Sequence, residues 1–272
     1  MRTELVSEPG DPARPNEDFA SIGLPASGQG GSLVVLDGVT PPAGDDGCLH
    51  SVPWFSARLG GALTELSASR RDLTLAEILS RSIRRTSEAH SDTCDLSHPR
   101  TPQATVVLAR WSADLVEYLV LSDSALLLES PAGLVTPVLD DRLIRVPRAS
   151  LASDAIADAT VRNKEGGFFT AAADPSVAAR AVTGTVPRAE VRALAALTDG
   201  ATRWVEKFDE GDWGSLFTVI RKEGAQALVD RVRALERADA VERTRLRRSK
   251  THDDATVVFV ECEHRGILTG HG

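Results

Sequence analysis

Along this chain, short runs of consecutive apolar residues alternate with longer stretches in which apolar residues return every three or four positions. The clearest short run is Leu33-Val34-Val35-Leu36, preceded by Gly31-Ser32 and leading straight into Asp37-Gly38. A short, fully apolar, β-branched run predicts a buried strand, and an Asp-Gly behind it is where a chain leaves a sheet. A carboxylate is thereby delivered to the strand's C-terminal lip. The design returns at residues 191–200, VRALAALTDG, ending in Asp199-Gly200, and more weakly at residues 115–124, LVEYLVLSDS, ending in Asp123-Ser124. Three apolar strands that each end in Asp predict one acidic rim.

The remaining pattern supplies the elements around that rim. The first twenty residues are polar and Pro-rich up to Asn16-Glu17-Asp18, after which Phe19, Ala20, Ile22 and Leu24 predict a short strand. A loop of turn formers at residues 39–50 precedes a helix whose apolar face carries Trp54, Phe55, Leu59, Ala62, Leu63 and Leu66. A second helix is predicted over residues 73–90, with Leu75, Ile78, Leu79 and Ile83 at helical spacing. Residues 104–138 change period and predict an antiparallel meander of four short strands. Residues 139–190 are poorly periodic, with a short helix near residues 175–182, and read as a surface excursion rather than core, a candidate flap over a site. After the strand to Asp199, one long amphipathic helical region is predicted over residues 213–237, with Phe217, Ile220, Leu228, Val232 and Leu235 on one side. The last strand, ATVVFVEC, follows Asp253-Asp254, so these acids lie at its N-terminal end, which in an antiparallel sheet is the edge where a neighbour's C-terminal end lies.

Composition narrows the function classes. The 272 residues suffice for one large domain, and residues 1–272 are read as one. A formal net charge of −8 has the wrong sign for gripping nucleic acid or an anionic membrane, so neither is expected as a partner. Cys48, Cys94 and Cys262 are too few and too irregularly spaced for a disulfide framework or a zinc site, and free thiols in a reducing cytoplasm are expected. No apolar stretch approaches the roughly 18 residues of a spanning helix, and the N-terminus lacks a signal-peptide core. A cytoplasmic monomer is the expectation.

Glu17, Asp18, Asp37, Asp199, Asp253 and Asp254 each stand next to a strand. Like charges raise one another's pKa and repel, so these acids either lie apart, as ordinary turn chemistry, or are joined by a cation. Oxygen ligands without a His or Cys cluster favour Mg²⁺ or Mn²⁺ over zinc.

The order of these motifs resembles a known family. Asn16-Glu17-Asp18, Asp37-Gly38, Thr105-Val106-Val107, Ser122-Asp123-Ser124, Thr198-Asp199-Gly200 and Asp253-Asp254-Ala255-Thr256-Val257 look like the successive motifs of the type 2C metal-dependent protein phosphatases, the PPM family, in its bacterial stand-alone form. The likeness runs over residues 14–260. It implies an α+β fold, a four-layer α-β-β-α sandwich of two antiparallel sheets flanked by helices. It also implies two Mn²⁺ or Mg²⁺ ions, or three, with Asp37 bridging and Asp199 and Asp253 completing the first site. The Gly38 carbonyl, Glu17 and Asp18 would serve the second ion, and Asp123 matches a position that helps to hold a third. Arg14 matches the phosphate clamp that binds substrate.

The sequence departs from the family in places. Only Pro15 separates Arg14 from Asn16, where two residues are usual. Val39-Thr40-Pro41-Pro42 replaces the usual residues after Asp37-Gly38, so the neighbouring loop is remodelled, and His50 at its end is a candidate general acid if the loop folds back. Ser122 stands where Gly is expected, and Asp254 where Asn is usual. The basic run at residues 243–250, RTRLRRSK, reads as a solvated helix end or as a recruiter of anionic phosphosubstrates. The resemblance implies a metal-dependent phosphomonoester hydrolase acting on phosphoserine or phosphothreonine in proteins. The alternatives are a catalytically silent binding or regulatory module and a small-molecule phosphatase.

Overall fold

Where aliphatic residues occupy consecutive positions of this chain, both faces of a strand are covered; where the period lengthens, one face of a helix is. The computed structural model describes residues 1–27, 30–41, 44–242 and 250–262. Its strands are β1 (Arg2–Glu8), β2 (Phe19–Gly23), β3 (Gly31–Leu36), β4 (Val106–Trp111), β5 (Leu115–Leu121), β6 (Ala125–Glu129), β7 (Val135–Val138), β8 (Val182–Pro187), β9 (Ala193–Leu197) and β10 (Ala255–Glu261). Its α-helices are α1 (Val52–Ser69), α2 (Leu75–Glu88), α3 (Arg142–Arg145), α4 (Asp154–Thr160), α5 (Asp199–Glu206), α6 (Trp213–Glu223) and α7 (Ala225–Glu242).

Two antiparallel five-stranded sheets form, in the orders β1-β10-β9-β6-β7 and β2-β3-β4-β5-β8. Period-two alternation divides β3 between two cores. Leu33 and Val35 face the other sheet and meet Leu126, Leu194, Ala196, Val258 and Val260. Val34 and Leu36 face outward under Phe55, Leu59 and Leu63 of α1 and Ile78, Leu79 and Ile83 of α2. The second sheet is covered in the same way, with Leu197, Val257 and Phe259 under Phe217, Ile220, Leu228 and Val232 of α6 and α7. These four layers are the expected α-β-β-α sandwich. Each such side chain, when fully buried, contributes about 1.5–3 kcal/mol, which is why the uninterrupted runs sit in the middle strands. The helix α2 starts at a capping box formed by Thr74 and Glu77, and Ser51 caps α1. Among the described residues no helix is long and apolar enough to cross a membrane.

Several local expectations are corrected. The polar N-terminus contains an edge strand, β1, paired with β10 over its whole length. Its inward positions carry charge because they meet helix ends: Arg2 donates to the Arg221 carbonyl at 2.7 Å, and Glu4 accepts the Ala225 amide at 2.7 Å at the start of α7. The predicted meander is two hairpins in different sheets, since β5 pairs with β4 and β8 while β6 pairs with β7 and β9. Ser122, at a φ of 70°, opens the crossing from one sheet to the other. The stretch 139–190 is not all surface: Phe169, Ala171, Val177 and Ala178 are buried in the core under α2, and β8 completes a sheet. The helical region from residue 213 breaks at Gly224, whose φ of 102° suits glycine. An unanticipated helix, α5, begins at Asp199 itself. All of the basic run at residues 243–250 except Lys250 lies outside the described residues.

Candidate active site

The strand registers decide which carboxylates meet. Phe19 pairs with Leu36, and both Ala125 and Val257 pair with Leu197. The residues just beyond these pairs, Asp18 and Asp37 in one sheet and Asp123, Asp199 and Asp253 around the other, therefore emerge at the same end of the sandwich. Asp37, Asp123, Asp199 and Asp253 line a cleft of about 250 Å³. Gly38 and Gly200 permit this closeness: a Cβ on Gly38 would lie 2.5 Å from the Glu17 carbonyl oxygen, and one on Gly200 would lie 2.0 Å from that of Asp254.

The carboxyls are recessed yet reach solvent through the cleft, and desolvation dominates their electrostatics. Burial, followed by the charges of Asp199, Asp18, Asp123 and Asp253, pushes the Asp37 carboxyl well above the usual range. Burial, with Asp123 and Asp253 adding to it, pushes Asp199 up to about 7, and Asp199 shares a hydrogen bond with Asp37. Asp18 is pushed up to about 8, again by burial first, against hydrogen bonds from Thr256 and Thr198 that favour its charged form. Burial also raises Asp123 and Glu17. A proton held between such carboxyls occupies the place that a cation would take.

Each acid has a distinct surrounding. Asp18 Oδ2 accepts the Thr198 hydroxyl at 3.0 Å and the Thr256 hydroxyl at 2.6 Å, while Oδ1 is buried without a hydrogen-bond partner among the described residues. Asp37 donates its amide to Thr105 Oγ1 at 3.2 Å, and Thr105 donates its own amide to the Asp37 carbonyl at 2.9 Å. Glu17 accepts the Thr40 hydroxyl. Asp253 is held by protein cations: Arg203 donates to Oδ2 at 2.9 Å, and Lys250 to Oδ1 at 3.1 Å. Arg203 is itself fixed by Glu236, which is fully buried and also bound by Arg233 and His252.

The structure does not bring every candidate to the cleft. Arg14 lines an adjoining recess of about 40 Å³ with Glu17, Thr40 and Lys250, next to the cleft rather than in it. His50 is absent from the cleft lining: its ring stacks on Trp54 at 3.9 Å, and its Nδ1 lies 3.3 Å from Cys94 Sγ. The loop at residues 39–50 is tied to the segment after α2, with the Val39 amide on the Gln103 carbonyl and the Asp95 amide on that of Gly47, which holds His50 on the side of Cys94 and Trp54. The sequence reading missed Arg203, which the motif pattern does not mark; it had Lys250 only as the end of the basic run, and Thr198 and Thr256 only as motif members, with no role given to their hydroxyls. The far wall comes from the excursion, where Leu143, Ala157, Arg162 and Phe168 line the cleft. Buried Arg100 ties this wall down through Asp154 at 3.1 Å and Asp158.

These donors suit hard divalent cations, since they are oxygens, desolvated, and include the unpartnered Asp18 Oδ1. Among the described residues no three of these carboxylates have ligand atoms within 4.8 Å of one another, so Asp18, Asp37 and Asp199 would have to draw together around an ion and Asp253 would have to exchange Arg203 or Lys250.

No protein-family profile and no curated protein sequence matches this chain. Solved structures do. The serine/threonine phosphatase Stp1 from Staphylococcus aureus superposes with a TM-score of 0.60 at 14% identity, over 97% of this chain and 96% of that one. The Mycobacterium tuberculosis serine/threonine phosphatase PstP/Ppp gives 0.57 at 16% identity, over 97% and 99%. The serine-threonine phosphatase 2C from Toxoplasma gondii gives 0.59 at 16% identity, over 96% and 94%. Over nearly its whole length, then, the chain has the fold of the PPM (type 2C) serine/threonine phosphatases.

Proposed function

We propose that this protein is a Mn²⁺- or Mg²⁺-dependent phosphomonoester hydrolase acting on phosphoserine or phosphothreonine in cytoplasmic proteins. The observation that carries the reading is the convergence of Asp18, Asp37, Asp123, Asp199 and Asp253 on one cleft end, with carboxyls desolvated enough that Asp18 and Asp199 titrate near neutrality. Asp37, between Asp199 and Asp18, would serve two cations, with Asp253 on the first and Glu17 and the Gly38 carbonyl on the second; Asp123 would serve a third. Bound there, such ions supply positive charge to phosphoryl oxygens and lower the pKa of an attacking water. The chain's own residues do the rest. Thr198 and Thr256 orient Asp18, Lys250 and Arg14 offer positive charge at the rim where a phosphate enters, and the wall from Leu143 to Phe168 bounds the space for the leaving group.

One observation favours a second reading, a silent module that binds a phosphorylated partner: Asp253 is already neutralised by Arg203 and Lys250. Hydrolysis of p-nitrophenyl phosphate and of a phosphothreonine peptide, with Mn²⁺, with Mg²⁺ and with chelator, separates the two. The enzyme reading expects metal-dependent turnover that falls at least about 100-fold in Asp37→Asn. A folded, Mn²⁺-loaded protein without turnover selects the silent module.

A further inference from the structure

We propose that Cys48, His50 and Cys94 form a second, sulfur-rich metal site that takes a zinc-class cation, separate from the acidic cleft. Irregular spacing in the sequence argued against any such site, but folding brings the remodelled loop after Asp37-Gly38 against the turn after α2. Cys48 Sγ lies 3.2 Å from Cys94 Sγ, and His50 Nδ1 lies 3.3 Å from Cys94 Sγ and 3.8 Å from Cys48 Sγ. Among the described residues this is the one group whose three ligand atoms all lie within 4.8 Å of one another; the carboxylates of the cleft converge more loosely.

The dimensions admit a metal ion. A triangle with these sides has a circumscribed radius of about 2.0 Å, so an ion about 1 Å out of its plane is about 2.2 Å from all three atoms, close to the usual Zn–S (~2.3 Å) and Zn–N (~2.0–2.1 Å) lengths. Both sulfurs are free thiols, not joined in a disulfide. Two thiols and an imidazole select zinc over the hard cations suited to the acidic cleft. Backbone amides already point at the sulfurs, Leu49 N–H to Cys94 Sγ at 3.3 Å and His50 N–H to Cys48 Sγ at 3.4 Å, as hydrogen bonds that stabilise a ligating thiolate. Buried His90 is a neighbour, its ring centroid 5.7 Å from that of His50 and its Nδ1 without a hydrogen-bond partner among the described residues, but it is not among the three residues whose ligand atoms converge. All three ligands are half-exposed, so an ion can enter from solvent. Occupied, the site would staple the loop that leaves Asp37-Gly38 to the end of α2.

Cobalt(II) tests this with a readout independent of catalysis, because only a thiolate-ligated cobalt gives an intense near-ultraviolet charge-transfer band together with the visible bands of a tetrahedral ion. The full chain, reduced and freed of metal, is titrated with Co²⁺ alone, then with competing Zn²⁺, alongside Asp37→Asn, Cys48→Ser and Cys94→Ser. The expected result is a charge-transfer band saturating at a single ion per chain, bleached by Zn²⁺, retained in Asp37→Asn and lost in both serine variants. Absence of the band in folded wild-type protein whose thiols are free to react overturns the proposal. So does a band that survives in folded Cys94→Ser. Should the serine variants not fold, the wild-type titration, with the loss of thiol reactivity on Zn²⁺ addition, still decides between these outcomes.

Discussion

The carboxylate of Asp254 accepts the backbone N–H of Glu17 at 2.6 Å, and with its other oxygen that of Gly10 at 2.7 Å. Both lone-pair faces of one side chain thus hold down the segment that carries Arg14, Glu17 and Asp18. The carboxylate at this position is structural, since its oxygens are spent on amides. Asp254→Asn replaces one acceptor by an NH₂ group facing an N–H donor, and leaving a backbone amide unpaired costs about 1–3 kcal/mol. Urea denaturation should show that loss with an unchanged slope. A variant as stable as the parent would mean that the amides find water instead.

The clustered carboxyls set a pH dependence for the metal-free protein. Burial raises Asp199 to about 7 and Asp18 to about 8, from roughly 4 in the unfolded chain. For an acid with a raised folded-state pKa, the native state binds more protons, so its contribution is fully present below the unfolded pKa and is lost as pH rises through the folded one. In chelator, the melting temperature should therefore fall steadily from about pH 5 to pH 8. Saturating Mn²⁺ should flatten or reverse that slope, because a cation does what the protons did. Equal melting curves across that range in chelator would contradict the buried cluster.

Ser122 occupies the left-handed region, at a φ of 70°, where the chain crosses from β5 to β6. Its amide is anchored on Asp140 Oδ2 at 2.9 Å, which leaves the conformation no freedom to relax. Relieving left-handed strain gains about 1–2 kcal/mol, and the added freedom of glycine when unfolded returns about 0.5–1 of it. Ser122→Gly should be about 0.5 kcal/mol more stable, and Ser122→Val less stable than the parent by more than 1 kcal/mol, since branching at Cβ worsens a left-handed residue. Paired chemical denaturation curves give both signs.

Much of this architecture is written in local pattern. The runs around Val34 and Val257 are apolar at every position because both faces of each middle strand are covered, and the helical spacing from Phe55 to Ile83 records the single covered face of α1 and α2. Asp37 and Asp199 were legible as strand-end acids for the same reason: the apolar run stops where the sheet does. The edge strand β1 was not, because its inward residues are charged and are satisfied by helix ends 219 and 221 positions away in the sequence. The splitting of β5 from β6 was likewise hidden, since a sheet crossing and a hairpin turn are both polar and short.

By itself, the sequence determined most of the inner strands, the main covering helices and the acids that crown the strand ends, because burial repeats with the period of each element, while the four-layer order followed from the resemblance of its motifs to a known family. Only the tertiary structure decided what those acids and the other reactive side chains meet. It set Arg203 and Lys250 on Asp253, carried His50 away from the cleft, and brought Cys94 to within 3.2 Å of Cys48 across 46 positions of chain. Such meetings depend on the relative placement of whole layers, and no periodicity in a single stretch of chain encodes a distance between two of them.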